Sequence, residues 1–396
     1  MKYLYILISV LIASCSNNNS KLVIAEKTND SIKNSFAPDK RVALYNIEVE
    51  QGKNGLLISG ETNLPKAAEA LKAELHRQNL SFADSIKILP DATLEGFTFA
   101  VVNNSVANIR SEAKHSAELA TQALLGTPLK VLKRQGSFYL VQTPDDYLSW
   151  VDHGGIRLMD EKLFFEWNAA SKIIYTKHEG YVYTDFNQNN KVSDIVMGSV
   201  LNYNSETEEG YHVVYPDGRK GFVLKAEAKL FRNWFDSVEP SGELIESYAK
   251  DFMGAPYLWG GTSSKGVDCS GFTKTVYLMN GFIIPRDASQ QIMAGLDVDP
   301  GLDFKNLKKG DLMFFGSKAT ADKKQRVTHV GIWLGNNDGQ FIHSASQVRL
   351  SSVNPESEHY DKANTDRYLG SRRYLHQNDS NIRSVKDIFN QEKVLQ

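Results

Sequence analysis

The chain is 396 residues long, with 41% hydrophobic residues, 23% charged residues and a formal net charge of −2. That length exceeds what one ordinary core can hold and implies roughly two to four domains, while the composition is that of a globular protein. A nearly neutral chain lacks the basic balance that a nucleic-acid partner demands, and that class is set aside.

The first residues, Met1-Lys2-Tyr3-Leu4-Tyr5-Ile6-Leu7-Ile8-Ser9-Val10-Leu11-Ile12-Ala13-Ser14-Cys15, place one lysine before a short apolar run that ends in small residues. This is the pattern of an export signal over residues 1–14, too short to span a bilayer as a helix. Its ending, Leu11-Ile12-Ala13-Ser14-Cys15, resembles the bacterial lipobox. The resemblance implies cleavage before Cys15 and lipid attachment to its thiol, which would anchor the protein to a membrane of the cell envelope, facing the periplasm. The competing readings are a plain secretory signal and a genuine membrane anchor. Residues 15–38 are polar with little periodicity and read as a linker. Cys15 and Cys269 are the two cysteines of the chain; in an exported protein, where disulfides are permitted, lipidation of Cys15 leaves Cys269 as a lone thiol.

Residues 39–102 read as a small α/β domain. Strand-like runs at 41–50, 55–59, 85–90 and 97–102 surround Pro65-Lys66-Ala67-Ala68-Glu69-Ala70-Leu71-Lys72-Ala73-Glu74-Leu75, a helix with proline at its start and apolar residues three to four apart. Residues 103–160 then change to short β runs such as Leu129-Lys130-Val131-Leu132 and Phe138-Tyr139-Leu140-Val141-Gln142. This segment resembles bacterial SH3 domains through Ser105-Val106-Ala107-Asn108-Ile109-Arg110, Glu118-Leu119-Ala120-Thr121-Gln122 and Tyr147-Leu148-Ser149-Trp150-Val151. Residues 170–232 repeat the style as a second, more divergent SH3-like β-barrel. Residues 240–376 form the last domain, a helix-then-sheet order that predicts an α+β fold, and the polar tail 377–396 reads as peripheral.

Chemistry concentrates in that last domain. The glycine-rich run Tyr257-Leu258-Trp259-Gly260-Gly261-Thr262-Ser263-Ser264-Lys265-Gly266-Val267 leads to Asp268-Cys269-Ser270-Gly271-Phe272, where Phe272, Val276 and Met279 share a helical face and Gly281 stops the helix. Cys269 falls on the first turn with Asp268 as N-cap. A helix start favours a thiolate and therefore a lowered thiol pKa, and its N–H groups can face an oxyanion. The strand Thr328-His329-Val330-Gly331-Ile332-Trp333-Leu334-Gly335 and the strand Gln340-Phe341-Ile342-His343-Ser344-Ala345 flank the turn Asn336-Asn337-Asp338-Gly339. A hairpin centred near Asn337 sets His343 opposite Gly331 and diagonal to His329 on one face; a one-residue slip would break this register. Either histidine alone is more often a packed strand residue, and a cysteine alone is more often inert. Together they supply a nucleophile and a proton acceptor.

Pro256-Tyr257-Leu258-Trp259-Gly260-Gly261, Asp268-Cys269-Ser270-Gly271-Phe272, Thr328-His329-Val330-Gly331-Ile332 and Ile342-His343 together resemble an NlpC-type cysteine peptidase, a papain-like enzyme of peptidoglycan. With SH3-like domains ahead of it, the layout resembles γ-D-glutamyl-L-diamino acid endopeptidases. The resemblance implies an α+β papain-like C-terminal peptidase domain preceded by two small SH3-like β-barrels and a small N-terminal α/β unit. It implies Cys269 as nucleophile, His329 as general base and later acid, and His343 as the orienting third member. Tyr257 is expected beside the oxyanion, with a core aromatic as the alternative, and Trp259 serves as packing or as a substrate wall. Asp268 and Ser270 are expected to contact substrate, Asp268 through the free amine of an N-terminal L-Ala, or else to serve only the helix start. Glu118 and Tyr147 of the first SH3-like domain match residues that lend the family's amine pocket an acid and a tyrosine. In Pro285-Arg286-Asp287-Ala288-Ser289-Gln290, Ala288 stands where the family often has a serine, which leaves Ser289 as the candidate; Arg286 and Asp287 read as a structural ion pair.

The implied reaction is hydrolysis of the bond after D-Glu in peptidoglycan stem peptides. One cysteine and two histidines do not form a usual zinc set, and no metal or cofactor is expected. Two other readings stand: a cell-wall amidase or acyltransferase with the same Cys–His machinery, and a non-catalytic wall-binding lipoprotein. The intact Cys269, His329 and His343 set argues against the second.

Overall fold

The structure, a computed structural model, describes residues 2–53, 55–336 and 338–389, with side chains described from Asn19 onward. The export signal and Cys15 therefore lie outside the described side chains. Among the described residues no helix is long and apolar enough to cross a membrane.

The segment read as a linker is not one. A helix spans Lys2–Phe36, and its second half lays Leu22, Ala25 and Ile32 on the core of the α/β unit. Two polar residues interrupt this stripe, and both find partners. Asn29 donates to the Ile47 carbonyl at 2.9 Å and accepts from the Tyr45 hydroxyl at 2.8 Å, while Thr28 donates to Gln78 Oε1 at 3.1 Å. Polar residues on a buried stripe weaken the periodicity that sequence reading depends on.

Under that helix lie three strands in chain order, Tyr45–Gly52, Gly55–Thr62 and Phe82–Ile88. The first pair is an antiparallel hairpin, and the helix Pro65–Arg77 crosses over to make the second pair parallel. Burial alternates along the first strand, with Tyr45, Ile47 and Val49 inward, the period of a half-buried strand. The strand Phe99–Val102, expected in this unit, instead pairs with Pro128–Gln135 and Ile156–Met159 in the first barrel. Local pattern identifies a strand but not the sheet it joins. The first barrel's seven strands run from Phe99–Val102 to Ile156–Met159. Helix Glu161–Ala169, capped by Asp160, leads into a second seven-stranded barrel from Lys172–Tyr175 to Ala228–Leu230.

The C-terminal domain packs helices Gly242–Asp251 and Cys269–Leu278 on a six-stranded sheet. The order across it is Leu296–Asp297, Tyr368–Arg373, Leu312–Ser317, Arg326–Trp333, Gln340–Ala345, Gln347–Ser352. Fully buried Phe272, Val276 and Met279 seat the Cys269 helix on the core, so apolar burial fixes where its polar N-terminus points. The described part of the tail, up to Phe389, is not peripheral as expected. Arg383–Ser384 pairs with Phe282–Ile283, Val385 is buried, and Ile388 and Phe389 pack on the same core.

Candidate active site

Cys269 is the first residue of its helix, and the Asp268 carboxylate caps it by accepting the Gly271 amide at 2.7 Å. The second Asp268 oxygen accepts the Gly260 amide at 3.0 Å, and backbone bridges tie Pro256 to Gln347 and Tyr257 to Val267. The glycine-rich loop is thus laced to both the Cys269 helix and the sheet edge. Cys269 is 7% exposed. Burial first, and then the Asp268 carboxylate, push its thiol up to about 12, against the opposing pull of the Val330 amide, Arg286 and the Ser270 amide. The expected lowering by the helix start is therefore overturned: desolvation of a thiolate outweighs the helix end here. Tyr257 stands close enough for the Cys269 charge to raise its pKa further, after burial has done so.

In the facing hairpin Ile332 pairs with Ile342 and Trp333 with Phe341, which sets Gly331 opposite His343. A Cβ on Gly331 would stand 3.1 Å from the Phe341 ring and 3.2 Å from the His343 Cβ, so glycine relieves a tight approach between the two strands at this pair. His329 Nε2 and His343 Nδ1 are 2.7 Å apart, with the rings edge-on. Burial lowers His329 to about 3, with the His343 charge adding, and burial lowers His343 to about 4. Both imidazoles are neutral at physiological pH. Beyond them His343 Nε2 lies 3.1 Å from Ser351 Oγ, which donates to Asp361 Oδ2 at 3.5 Å. No motif marks Ser351 or Asp361; only the pairing of Gln340–Ala345 with Gln347–Ser352 brings Ser351 behind His343.

On the other flank of Cys269, Arg286 is 1% exposed and grips Asp268 with its two terminal guanidinium nitrogens, at 2.6 and 3.1 Å. It also donates to Ser270 Oγ at 3.0 Å and to Thr121 of the first barrel at 3.0 Å. The expected Arg286–Asp287 ion pair is the minor contact, at 3.9 Å. Asp268 thus serves the helix cap and a buried ion pair together, and Ser270 is 5% exposed within the same network. Asp287 instead accepts from Arg41 at 2.7 Å and from the Tyr147 hydroxyl at 3.3 Å, and Arg41 also reaches Ser289 Oγ at 2.9 Å. Arg41 precedes the first strand of the α/β unit, and sequence reading assigned it no role. Trp259 is 62% exposed, and its indole donates to Glu118 Oε1 at 2.6 Å. The SH3-like barrel therefore brings Glu118 to Trp259, Thr121 to Arg286 and Tyr147 to Asp287.

A thiol at a helix start, a neutral histidine pair on a facing hairpin and a papain-like helix-on-sheet core define a cysteine peptidase. The family model for NlpC/P60 matches residues 254–373, and that for the bacterial SH3 domain matches residues 105–157. The chain is 32% identical over 266 residues to a γ-D-glutamyl-L-lysine dipeptidyl-peptidase of Bacillus cereus, covering 65% of this chain and 76% of that protein. A protein of the same name from Bacillus subtilis is 31% identical over 233 residues, covering 57% and 72%. A crystal structure of an NlpC/P60 family protein from Bacillus cereus superposes with a TM-score of 0.59 at 26% identity, covering 70% of this chain and 99% of that one. The chain belongs to the NlpC/P60 family, and it is a cell-wall peptidase of the cysteine type.

Proposed function

We propose that the enzyme hydrolyses the γ-D-glutamyl-L-diamino acid bond of short peptidoglycan-derived peptides that carry a free N-terminal L-Ala. The observation that carries this reading is the first barrel seated against the nucleophile, with Thr121 on Arg286, Glu118 on Trp259 and Tyr147 on Asp287. A barrel in that place limits how much substrate can precede the scissile bond, which favours freed peptides over intact wall. In this reading the barrel's acid and tyrosine, Glu118 and Tyr147, receive the substrate's ammonium. As the Cys269 sulfur attacks the γ-carbonyl, its proton passes to His329. Helix-start N–H groups and the Tyr257 hydroxyl hold the oxyanion, and His329 then gives its proton to the departing diamino acid. Water, deprotonated by the same imidazole, releases L-Ala-γ-D-Glu and restores the thiol. The two relatives above, named γ-D-glutamyl-L-lysine dipeptidyl-peptidases, support this choice of bond.

The test is mass spectrometry of products from L-Ala-γ-D-Glu-diaminopimelate, with the amine free or acetylated. The free peptide is expected to yield L-Ala-γ-D-Glu and diaminopimelate, and acetylation to raise KM at least tenfold. Equal cleavage of both forms would contradict the amine pocket. We propose further that Cys15 carries lipid and anchors the protein to a membrane of the cell envelope, on the strength of Leu11-Ile12-Ala13-Ser14-Cys15. Radiolabelled palmitate incorporation lost in Cys15→Ser is the expected result; label retained in that variant would contradict it.

A further inference from the structure

The histidine pair ends in a group whose chemistry is one-directional. The Asp361 carboxylate receives the Asn364 amide N–H at 3.0 Å on one oxygen and the Asn364 side-chain N–H at 2.6 Å on the other. The Arg349 guanidinium stands 3.9 Å away. Burial alone would raise its pKa, but the Asn364 donors, then the neighbouring His343 and Arg349, bring it below the ordinary carboxylate value. Asp361 is therefore ionised at neutral pH, and an ionised carboxylate only accepts hydrogen bonds.

The direction of every proton between Asp361 and Cys269 follows. Ser351 must donate its hydroxyl hydrogen to Asp361, so its oxygen is left to accept from His343 Nε2–H, 3.1 Å away. The His343 Nε2 also lies 3.9 Å from the carboxylate itself, a second reason for that nitrogen to carry the proton. A neutral imidazole holds one N–H, so His343 Nδ1 is bare and accepts from His329 Nε2–H across 2.7 Å. His329 Nδ1 is then the nitrogen left without a proton. We propose that Asp361, acting through Ser351, is a positioning residue that fixes the tautomer of both histidines and keeps His329 Nδ1 free to take the Cys269 proton. In the step it serves, the proton leaves sulfur for Nδ1 as the C–S bond forms and the carbonyl π electrons move to oxygen. The imidazolium charge is then shared along a chain that ends on the carboxylate.

Asp361→Asn tests this directly, because asparagine keeps the cap of the short helix Lys362–Asp366 while replacing one acceptor oxygen with a donor. With Nδ2–H facing Ser351, the whole chain reverses and His329 Nδ1 acquires the proton. The expected result is a fall in kcat of about 10²–10⁴-fold, the range that a positioned general base contributes, with KM within about twofold. Imidazole ¹⁵N shifts in the substrate-free enzyme are expected to move His329 from the Nε2–H to the Nδ1–H form, and Asp361→Glu to keep the wild-type pattern. Unchanged kcat, or lost activity with His329 still protonated at Nε2, would overturn the proposal. Should Asp361→Asn fail to fold, Ser351→Ala reads the same link. It is expected to mix the tautomers and lower kcat about tenfold, and no change in either quantity would overturn the proposal. The ¹⁵N readout needs no substrate, so its outcome is independent of which wall bond is cut.

Discussion

At the residue scale the resting state of the site is a neutral thiol beside a neutral imidazole. Burial sets both, holding Cys269 up at about 12 and His329 down at about 3. Thiolate, the form that reacts with alkylating agents, is then scarce at pH 7, and its fraction grows about tenfold per pH unit until the thiol pKa is approached. The alkylation rate of the free enzyme with iodoacetamide is therefore expected to climb steadily from pH 6 to pH 9. A flat rate across that range would instead indicate a preformed thiolate–imidazolium pair. This proton assignment was not legible in the sequence. A helix start and a cysteine are visible in a string of letters, whereas the burial that outweighs them, with the Asp268 charge adding to it, is set by tertiary packing around the sulfur. Cys269, His329 and His343 were legible because glycine-rich loop, hairpin turn and same-face spacing are local signals. Asp361, Ser351 and Arg41 were not, because each meets the site only through sheet pairing or domain contact.

At the element scale the start of the Cys269 helix bears two duties on one carboxylate. Asp268 caps the helix through Gly271 and neutralises the fully buried Arg286. Asp268→Asn keeps the acceptor for the cap but leaves the guanidinium without its charge partner, a change that costs about 3–5 kcal/mol when such a pair is broken. A urea-denaturation series is expected to show a loss of that size, with the m-value unchanged; a loss below about 1 kcal/mol would mean that Thr121 and Ser270 suffice for Arg286. Other elements were read from sequence with uneven success for physical reasons. The hairpin register followed from the Asn336–Gly339 turn and the space at Gly331, whereas the N-terminal helix hid behind Thr28 and Asn29 on its buried stripe. The strand Phe99–Val102 was visible, but its partners in the first barrel were not, since sheet membership is a tertiary property.

At the scale of the whole molecule the first barrel and the peptidase behave as one seated unit. Gly260 approaches Leu119 so closely that a Cβ would lie 2.2 Å from its carbonyl oxygen, and buried Gln122 accepts from the Thr262 amide at 3.0 Å and the Ser263 hydroxyl at 3.1 Å. Gln122→Leu strands two buried donors, each costing about 1–3 kcal/mol. It is expected to lower kcat/KM on the tripeptide and thermal stability together; wild-type values for both would show that the barrel contributes nothing to the site. The central claim is that Cys269 is the nucleophile of a wall-peptide peptidase, and one measurement meets it head-on. Purified wild-type protein and Cys269→Ala are incubated with L-Ala-γ-D-Glu-L-Lys, and free lysine is followed over time. Release by the wild type and less than a thousandth of that rate in the variant are expected; equal release by the two proteins would overturn the role of Cys269.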